Sequence, residues 1–463
     1  MKFRFLLFTM FLLATSTVYS DEPFRVGTAE IEITPPIGYR MSGYFYERLN
    51  EGIKDPLKAK AIVFSQGNST GAIIVCDIIG IFLEVSIPAR KLIEENLSIP
   101  ASHISIAATH AHTGPLYSGS MRNQFHSEAI ARDGSDPHEK IDYPKFLIKQ
   151  IVEVTKQAKN NLQQVNISAG FGFENRIAFN RRFVMKSGKV RTWIGINHPD
   201  VVRVAGPIDT EIGLVQFTSV KNKQPVSLIS SYALHLDTVG GTKFSADFPY
   251  YLSKSLKEKF GEQFTSLFGA GTCGDINHVN TKTKKRNKTN EIGNYLTESV
   301  LKALPDLKPA SKPSLKIKSA IVNAGKQQYT EAEITEAKTI TPRINDSKIP
   351  FNKRVKSYSI VNLQENKNST LPFEVHVFQI SKDVAIVTLP GEVFVELGMQ
   401  IKQESPFKTT LVIELANEAP GYIPTKKAFA EGSYETLNSR CVPGSGEEMT
   451  SVAIQLLKEL HAE

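Results

Sequence analysis

Cysteine is scarce in this sequence. Only Cys76, Cys273 and Cys441 occur in 463 residues, too few for a disulfide framework and spaced wrongly for a zinc ribbon. One disulfide with a thiol left over, or three free thiols, both stay open. No interior apolar run is long enough for a bilayer, which needs ~20 residues; the best, Ala72 to Val85, is broken by Asp77. A strong charge excess is absent too. The 55 basic and 47 acidic residues leave +8, spread along the chain, which gives nucleic-acid binding little support. Repeats and low-complexity stretches are missing. With 41% hydrophobic and 22% charged residues the composition is globular, not disordered or collagen-like.

What is present begins at the N-terminus. Lys2 and Arg4 precede an apolar stretch from Phe5 to Leu13, and Val18 and Ser20 stand at the −3 and −1 positions of a small-residue cleavage site. Residues 1–20 therefore read as a secretory signal cleaved after Ser20. The apolar stretch is short for an uncleaved anchor. The expectation is an exported protein, secreted or periplasmic, soluble or at most peripheral on a membrane.

Further along, β-branched runs predict strands at Lys58–Ser65, Ala72–Cys76, Ile104–Ala108, Val226–Ala233, Phe373–Ile380 and Val384–Leu389. Helical periodicity marks Ala89–Leu97, Tyr143–Leu162, Phe248–Phe260, Ile292–Leu304, Val393–Gln403 and Glu447–Leu460. The alternation predicts an α/β fold, with mixed β-sheets flanked by helices. Leu304–Lys318, with Pro305, Pro309 and Pro313, reads as a linker or long connection. Thr281–Thr289 carries Lys282, Lys284, Lys285, Arg286 and Lys288 and reads as a solvated loop, contact with an anionic lipid surface being the second reading. Gly67-Asn68-Ser69-Thr70-Gly71 matches the serine-hydrolase pattern G-x-S-x-G. That elbow needs a strand running into a helix, and here two strand-like runs flank it, so it reads as a hairpin turn.

The strongest local signal is His110 and His112. A buried strand, Ile104–Ala108, runs into Thr109-His110-Ala111-His112-Thr113-Gly114-Pro115. If the extended backbone persists, a period of two places both imidazoles on one face, at a sheet end where α/β sites lie. Such a pair suits a metal ligand beside a proton-transfer group, although the motif is weak alone. Three other groups follow apolar strands: His235 after Leu228–Leu234, Asp275 after Phe264–Phe268, and Glu392 after Val384–Leu389. Singly, each has an ordinary structural reading, such as a helix cap for Asp275, a helix-dipole partner for Glu392 and a core imidazole for His235. Together they predict a convergent site.

These residues resemble the neutral/alkaline, non-lysosomal ceramidases, zinc amidases with a Thr-His-Thr-His-Ser-Gly-Pro segment. Thr109–Pro115 matches it with changes at Ala111 and Thr113. The stretch Val26-Gly27-Thr28-Ala29-Glu30-Ile31-Glu32-Ile33-Thr34-Pro35 resembles the family's opening strand, and Met41-Ser42-Gly43-Tyr44 its turn. Gly52-Ile53 with Lys58-Ala59-Lys60-Ala61 follows in the family's order. So do Pro390-Gly391-Glu392, Leu415-Ala416-Asn417, Gly421-Tyr422 and Tyr434. The resemblance runs from about Phe24 to the end of the chain, and it implies one zinc ion held by His110, His235, Glu392 and Tyr422. It further implies His112 as the group that accepts and returns a proton, with Arg176 and Tyr434 facing the scissile amide. Because these ligands lie on both sides of the proline-rich connection, residues 21–463 are expected to form one integrated catalytic domain.

Two departures stand out. The family's Gly-Asp-Val-Ser-Pro-Asn is Gly274-Asp275-Ile276-Asn277-His278-Val279 here, which excludes a serine nucleophile at Asn277. Asn-Arg-Ser-Pro has become Asn175-Arg176-Ile177-Ala178. The family's C-terminal immunoglobulin-like domain is also not expected, since the sequence stops after Glu447–Leu460. The expected activity is hydrolysis of the N-acyl amide of ceramide to a sphingoid base and a fatty acid, by water that the zinc activates. The rivals are a same-fold hydrolase of another N-acyl lipid or amino sugar, and a non-catalytic lipid- or glycan-binding relative. The partner is a small lipid-like N-acyl substrate, with peripheral membrane contact and no nucleic acid.

Overall fold

The structure is a computed structural model that describes residues 22–463; the leader read at 1–20 lies outside the described residues. Two sheets pack face to face with helices on both outer faces, giving four layers. The nine-stranded sheet runs in the order Thr265–Ala270, Pro225–Tyr232, Glu211–Ser219, Gln163–Phe173, Arg25–Glu32, Lys58–Gln66, Ser69–Cys76 and Ile104–Ala108, and the short Lys308–Pro309 joins Gln163–Phe173. The four-stranded sheet runs Pro313–Ala324, Leu371–Ser381, Val384–Thr388 and Thr409–Ile413. Both are mixed. Three parallel pairs stand out: Ser69–Cys76 with Ile104–Ala108, Pro225–Tyr232 with Thr265–Ala270, and Val384–Thr388 with Thr409–Ile413.

Strand alternation explains the layering. Along Lys58–Gln66, Ala59, Ala61 and Val63 face the helices Leu83–Leu97 and Tyr143–Asn160. Ile62 and Phe64 point the other way, into a core shared with Phe378, Ile386, Leu411 and Ile413 of the second sheet. A period of two divides one strand between two cores. Burying each such side chain contributes ~1.5–3 kcal/mol. The outer face of the four-stranded sheet is covered by Val395–Glu404 and Ser445–Ala462. Helix Tyr143–Asn160 shows how local sequence sets an element. Asp142 accepts from the Lys145 N–H, a proline occupies the first turn, and Leu147, Ile151, Val154 and Ala158 form the buried stripe.

The predicted strands and helices appear where periodicity placed them, most within a few residues at their ends, while the helix expected at Ala89–Leu97 begins earlier, at Leu83, and runs through Pro88. Gly67 and Asn68 form the expected turn between antiparallel strands. The proline-rich stretch differs: Leu304–Asp306 is a helical turn, Lys308–Pro309 adds an edge to the first sheet, and Pro313 opens a twelve-residue strand of the second. Prolines are tolerated at strand starts and edges, where no N–H is required. All three cysteines are buried and unpaired. Lys282, Lys284, Lys285, Arg286 and Lys288 are exposed, as a solvated loop requires. Among the described residues, no helix is long and apolar enough to cross a membrane.

Candidate active site

The C-terminal ends of the parallel strands meet at one edge, where the two sheets are stitched together. Ala107 bridges Ala416, Ala108 N–H donates to Leu415, and Glu414 N–H donates to Ala270. Asn417 completes the seam: its N–H donates to the Ile106 carbonyl, and its side-chain oxygen accepts the Ile106 N–H at 2.9 Å. This is the structural role of the Leu415-Ala416-Asn417 motif.

His110 sits just past the strand, and its backbone does not continue extended. Its φ is +75°, in the left-handed region that a side chain with a Cβ rarely adopts. His110 N–H and Ala111 N–H both donate to the Ile78 carbonyl, which holds the turn. The premise of an unbroken extended backbone is therefore corrected, yet the imidazoles still meet. His110 Nε2 lies 3.0 Å from His235 Nε2 and 3.2 Å from His112 Nε2. Behind His112, Gly43 has φ +99°, and a Cβ there would fall 2.3 Å from the His112 carbonyl. Only glycine lets the Met41–Tyr44 turn approach so closely.

Glu392 and Tyr422 arrive together because Glu392–Val393 and Tyr422–Ile423 pair in parallel with those two residues in register. Glu392 Oε2 stands 3.4 Å from His110 Nε2 and 3.8 Å from His235 Nε2. Burial alone would raise the Glu392 carboxyl, but the His110 imidazole and the Tyr422 hydroxyl outweigh it and hold it below the usual glutamate range. Burial, then Glu392 and Tyr434, push the Tyr422 hydroxyl well up. Tyr434 packs edge-on to Tyr422 at 5.5 Å and lies 4.4 Å from Trp193.

A test of metal fit rests on the lone pairs. His110 Nδ1 lies 2.7 Å from the Ile79 carbonyl and His235 Nδ1 3.3 Å from the Cys273 carbonyl. Both Nδ1 atoms must donate there, which leaves each Nε2 an unprotonated acceptor. Two acceptors 3.0 Å apart repel unless a cation or proton separates them. Burial pushes His235 well below the usual imidazole range, with His110 adding to it, and the same two causes bring His112 down to about 3. His235 and His112 thus disfavour a proton of their own. Glu392 Oε2 is buried without a hydrogen-bond partner beside them. Two imidazoles oriented by backbone carbonyls, together with an unsatisfied carboxylate, suit zinc or a similar divalent ion.

Arg176 goes elsewhere. Its guanidinium is held by Glu174 at 2.6 Å and Glu298 at 2.9 Å and lies over the Tyr295 ring. It does not line the cleft that holds His110, His112, Glu392, Tyr422 and Tyr434. Two acids of its own neighbourhood satisfy it and hold it away from that cleft. Arg181 lies nearer to the cluster, at Tyr422, although it does not line the cleft either. It is buried, and its Nη2 donates to the Tyr422 hydroxyl at 3.0 Å and the Gly274 carbonyl at 2.8 Å. Glu435 holds its Nε at 2.9 Å and binds Arg182 with its other oxygen. The signal was in the sequence as a second Asn-Arg pair, Asn180-Arg181, five residues on. Glu414 was missed as well. Its buried carboxyl accepts the Cys273 thiol and the Val393 N–H, anchoring the strand of Glu392. The metal-capable Asp275 does not join the cluster; it caps helix Val395–Glu404 through the Val395 N–H and accepts from Asn180.

Asn277 is buried, and its side-chain oxygen accepts the Val279 N–H at 3.0 Å, closing its own turn. It does not line the cleft. Asn277→Ala is therefore expected to lower turnover by about tenfold at most, or about 1.4 kcal/mol, and Asn277→Ser to form no acyl-enzyme. Steady-state kinetics with intact-mass spectrometry check this. An acyl adduct on wild type, or rescue of an inactive wild type by serine, would contradict it.

No family model matches the chain, and no curated protein matches it. Solved structures do. Neutral ceramidase from Pseudomonas aeruginosa superposes with a TM-score of 0.71 at 16% identity, covering 96% of this chain and 75% of that one. A ceramidase complexed with C2 gives the same TM-score at 17% identity, covering 96% and 76%. The chain has the fold of the neutral ceramidases, in agreement with the family that its ordered motifs resemble.

Proposed function

We propose that this chain, built on the neutral ceramidase fold, is a metal-dependent amidohydrolase that cleaves the amide of an N-acyl lipid, with ceramide the first substrate to test. The supporting observation is the pair of carbonyl-oriented imidazoles whose Nε2 atoms face each other at 3.0 Å, beside the unpartnered Glu392 oxygen. His110, His235, Glu392 and Tyr422 would hold one zinc ion. Bound there, zinc would polarise the acyl carbonyl and lower the pKa of water from about 16 to about 7.

The chain's own groups supply the rest. His112 is neutral and lines the cleft, so its Nε2 can accept the proton of the attacking water and return it to the amine as that group leaves. Tyr434, which lines the cleft, is the donor at hand for the developing oxyanion, a contribution of ~3–4 kcal/mol, and Arg181 fixes the Tyr422 hydroxyl from behind. Residues 1–20 act in this reading as an export leader and 21–463 as the catalytic unit.

Purified protein is expected to contain one zinc per chain and to release fatty acid from ceramide or another N-acyl lipid. A chelator should abolish that activity and added zinc restore it. Metal-free protein that binds acyl ligands without cleaving them would instead identify a binding relative.

A further inference from the structure

Arg440 lines the same cleft as His112, Glu392 and Tyr422. Its guanidinium rests on Gly421, where a Cβ would come within 2.3 Å of Nη1. Gly421 directly precedes Tyr422, so this cation stands beside the proposed metal-holding set. Nη1 donates to the Pro420 carbonyl at 2.8 Å, while Nε is buried and donates to nothing.

Most other arginines of the interior have more partners, although Arg48 and Arg90 also leave a buried Nε without one. Arg40 pairs with Glu47 and Asp136, while Arg181 and Arg182 share Glu435. Arg48 has no carboxylate, but it donates to the carbonyls of Gly241, Ser42 and His112. Arg440 has only its one backbone carbonyl, and among the described residues it forms no ion pair. The nearest carboxyl is Glu418, which burial pushes up to about 7 even with Arg440 pulling it down, so it is only partly ionised at neutral pH.

A second polar group points the same way. Asn438 lines the cleft, is 8% exposed, and its Oδ1 has no partner, while its Nδ2 reaches only the Tyr434 hydroxyl at 3.4 Å. The Nδ2 carries a second hydrogen, free to meet a ligand oxygen while the first is on that hydroxyl. The same cleft is lined by the apolar side chains of Phe82, Leu116, Met121 and Leu415. An under-satisfied guanidinium beside such a wall costs desolvation that a ligand's counter-charge would recover.

Resting on the hydrolase reading above, we propose that the substrate carries a carboxylate close to its scissile amide, and that Arg440 receives it with Asn438 in support. The substrate class is an N-acyl amino acid: the acyl chain lies along the apolar wall, and the carboxylate meets the planar guanidinium fork. A neutral N-acyl amine would leave Arg440 unpaired.

Full-length protein, with N-lauroylglycine and its neutral analogue N-lauroylglycinamide, tests this in two ways. In zinc-loaded wild type, kcat/KM is expected to favour the acid by about 10- to 100-fold, mostly through KM. Arg440→Gln should collapse the preference to within about threefold, and Arg440→Lys should recover part of it. Calorimetric titration of metal-free protein should show the same preference in Kd, again lost in Arg440→Gln. Circular dichroism and the unfolding midpoint confirm that each variant is folded, and Arg440→Lys carries the test should the glutamine variant not fold. If neither compound is cleaved but the acid still binds through Arg440, the hydrolase reading fails and the anionic subsite stands. Equal binding of acid and amide by wild type, or a preference unchanged in a folded Arg440→Gln protein, overturns the subsite whatever the enzyme cleaves.

Discussion

Replacing His112 by alanine is expected to leave the metal content of the protein near that of wild type and to lower turnover by about 10²–10⁴, the range of a general acid–base group. Replacing His110 should remove metal and activity together. The two rings lie 3.2 Å apart at Nε2, but their settings differ. His110 is buried on a left-handed backbone, with Nδ1 fixed by Ile79 and Nε2 within reach of both His235 and Glu392. His112 is half-buried and borders the cleft. Deleting His110 removes the group central to the ligand set, and the remaining donors hold a divalent ion weakly. Because His110, His112 and His235 all approach one another, a three-imidazole site is the alternative, and it predicts metal loss in both variants. Elemental analysis beside kinetics on the two proteins decides between them. Retention of metal by His110→Ala with loss in His112→Ala would reverse the assignment.

Arginine provides the second large effect. Arg181→Ala should lower turnover by about 10- to 100-fold, because the Tyr422 hydroxyl loses the buried charged donor that fixes it. It should also destabilise the fold by ~3–5 kcal/mol, since a buried ion pair is broken from one side; Arg182 remains on Glu435 and favours the lower end. Arg181→Lys keeps the charge but loses the fork that spans Tyr422, Gly274 and Glu435, so it should recover stability before activity. Arg176→Ala should stay within about threefold of wild type in turnover, because its side chain is 40% exposed and bound to acids outside the cleft. The Glu298 pair is open to solvent and contributes ~0–1 kcal/mol, whereas Glu174 is buried and loses its partner, so the variant should cost stability more than turnover. A large loss in Arg176→Ala with normal Arg181→Ala activity would restore the assignment drawn from the Asn175-Arg176 match. Urea unfolding alongside steady-state kinetics separates the two effects.

Strand alternation made much of this legible before any coordinates. Ile104–Ala108, Val384–Thr388 and the helix at Phe248–Phe260 announce themselves by period and flanking polar groups, and the strand ends bring His110, His235 and Glu392 to one edge. Two things stayed hidden. The turn at His110 depends on carbonyls of the neighbouring strand end, and no local pattern encodes a positive φ at a histidine. Arg181 and Arg176 share the same Asn-Arg context; Glu174, two residues before Arg176, helps to draw that guanidinium away, and only the distant Glu435 decides that Arg181 faces Tyr422. Arg440 and Glu414 carry no motif. Their significance lies in what surrounds them, and that is settled by packing between segments remote in sequence.

The seam between the two sheets also sets an order of assembly. A chain synthesised from its N-terminus can complete all but one short edge of the first sheet with His110 and His235 already in place, while Glu392 and Tyr422 have yet to be made. Two imidazoles alone hold a divalent ion loosely and exchange it readily. Only when Val384–Thr388 and Thr409–Ile413 dock, and Glu392 comes into register with Tyr422, does the cage close. If the site holds a metal as proposed, the choice among ions would be deferred to the last stage of maturation, and the compartment where folding finishes, not the one where translation occurs, would supply it.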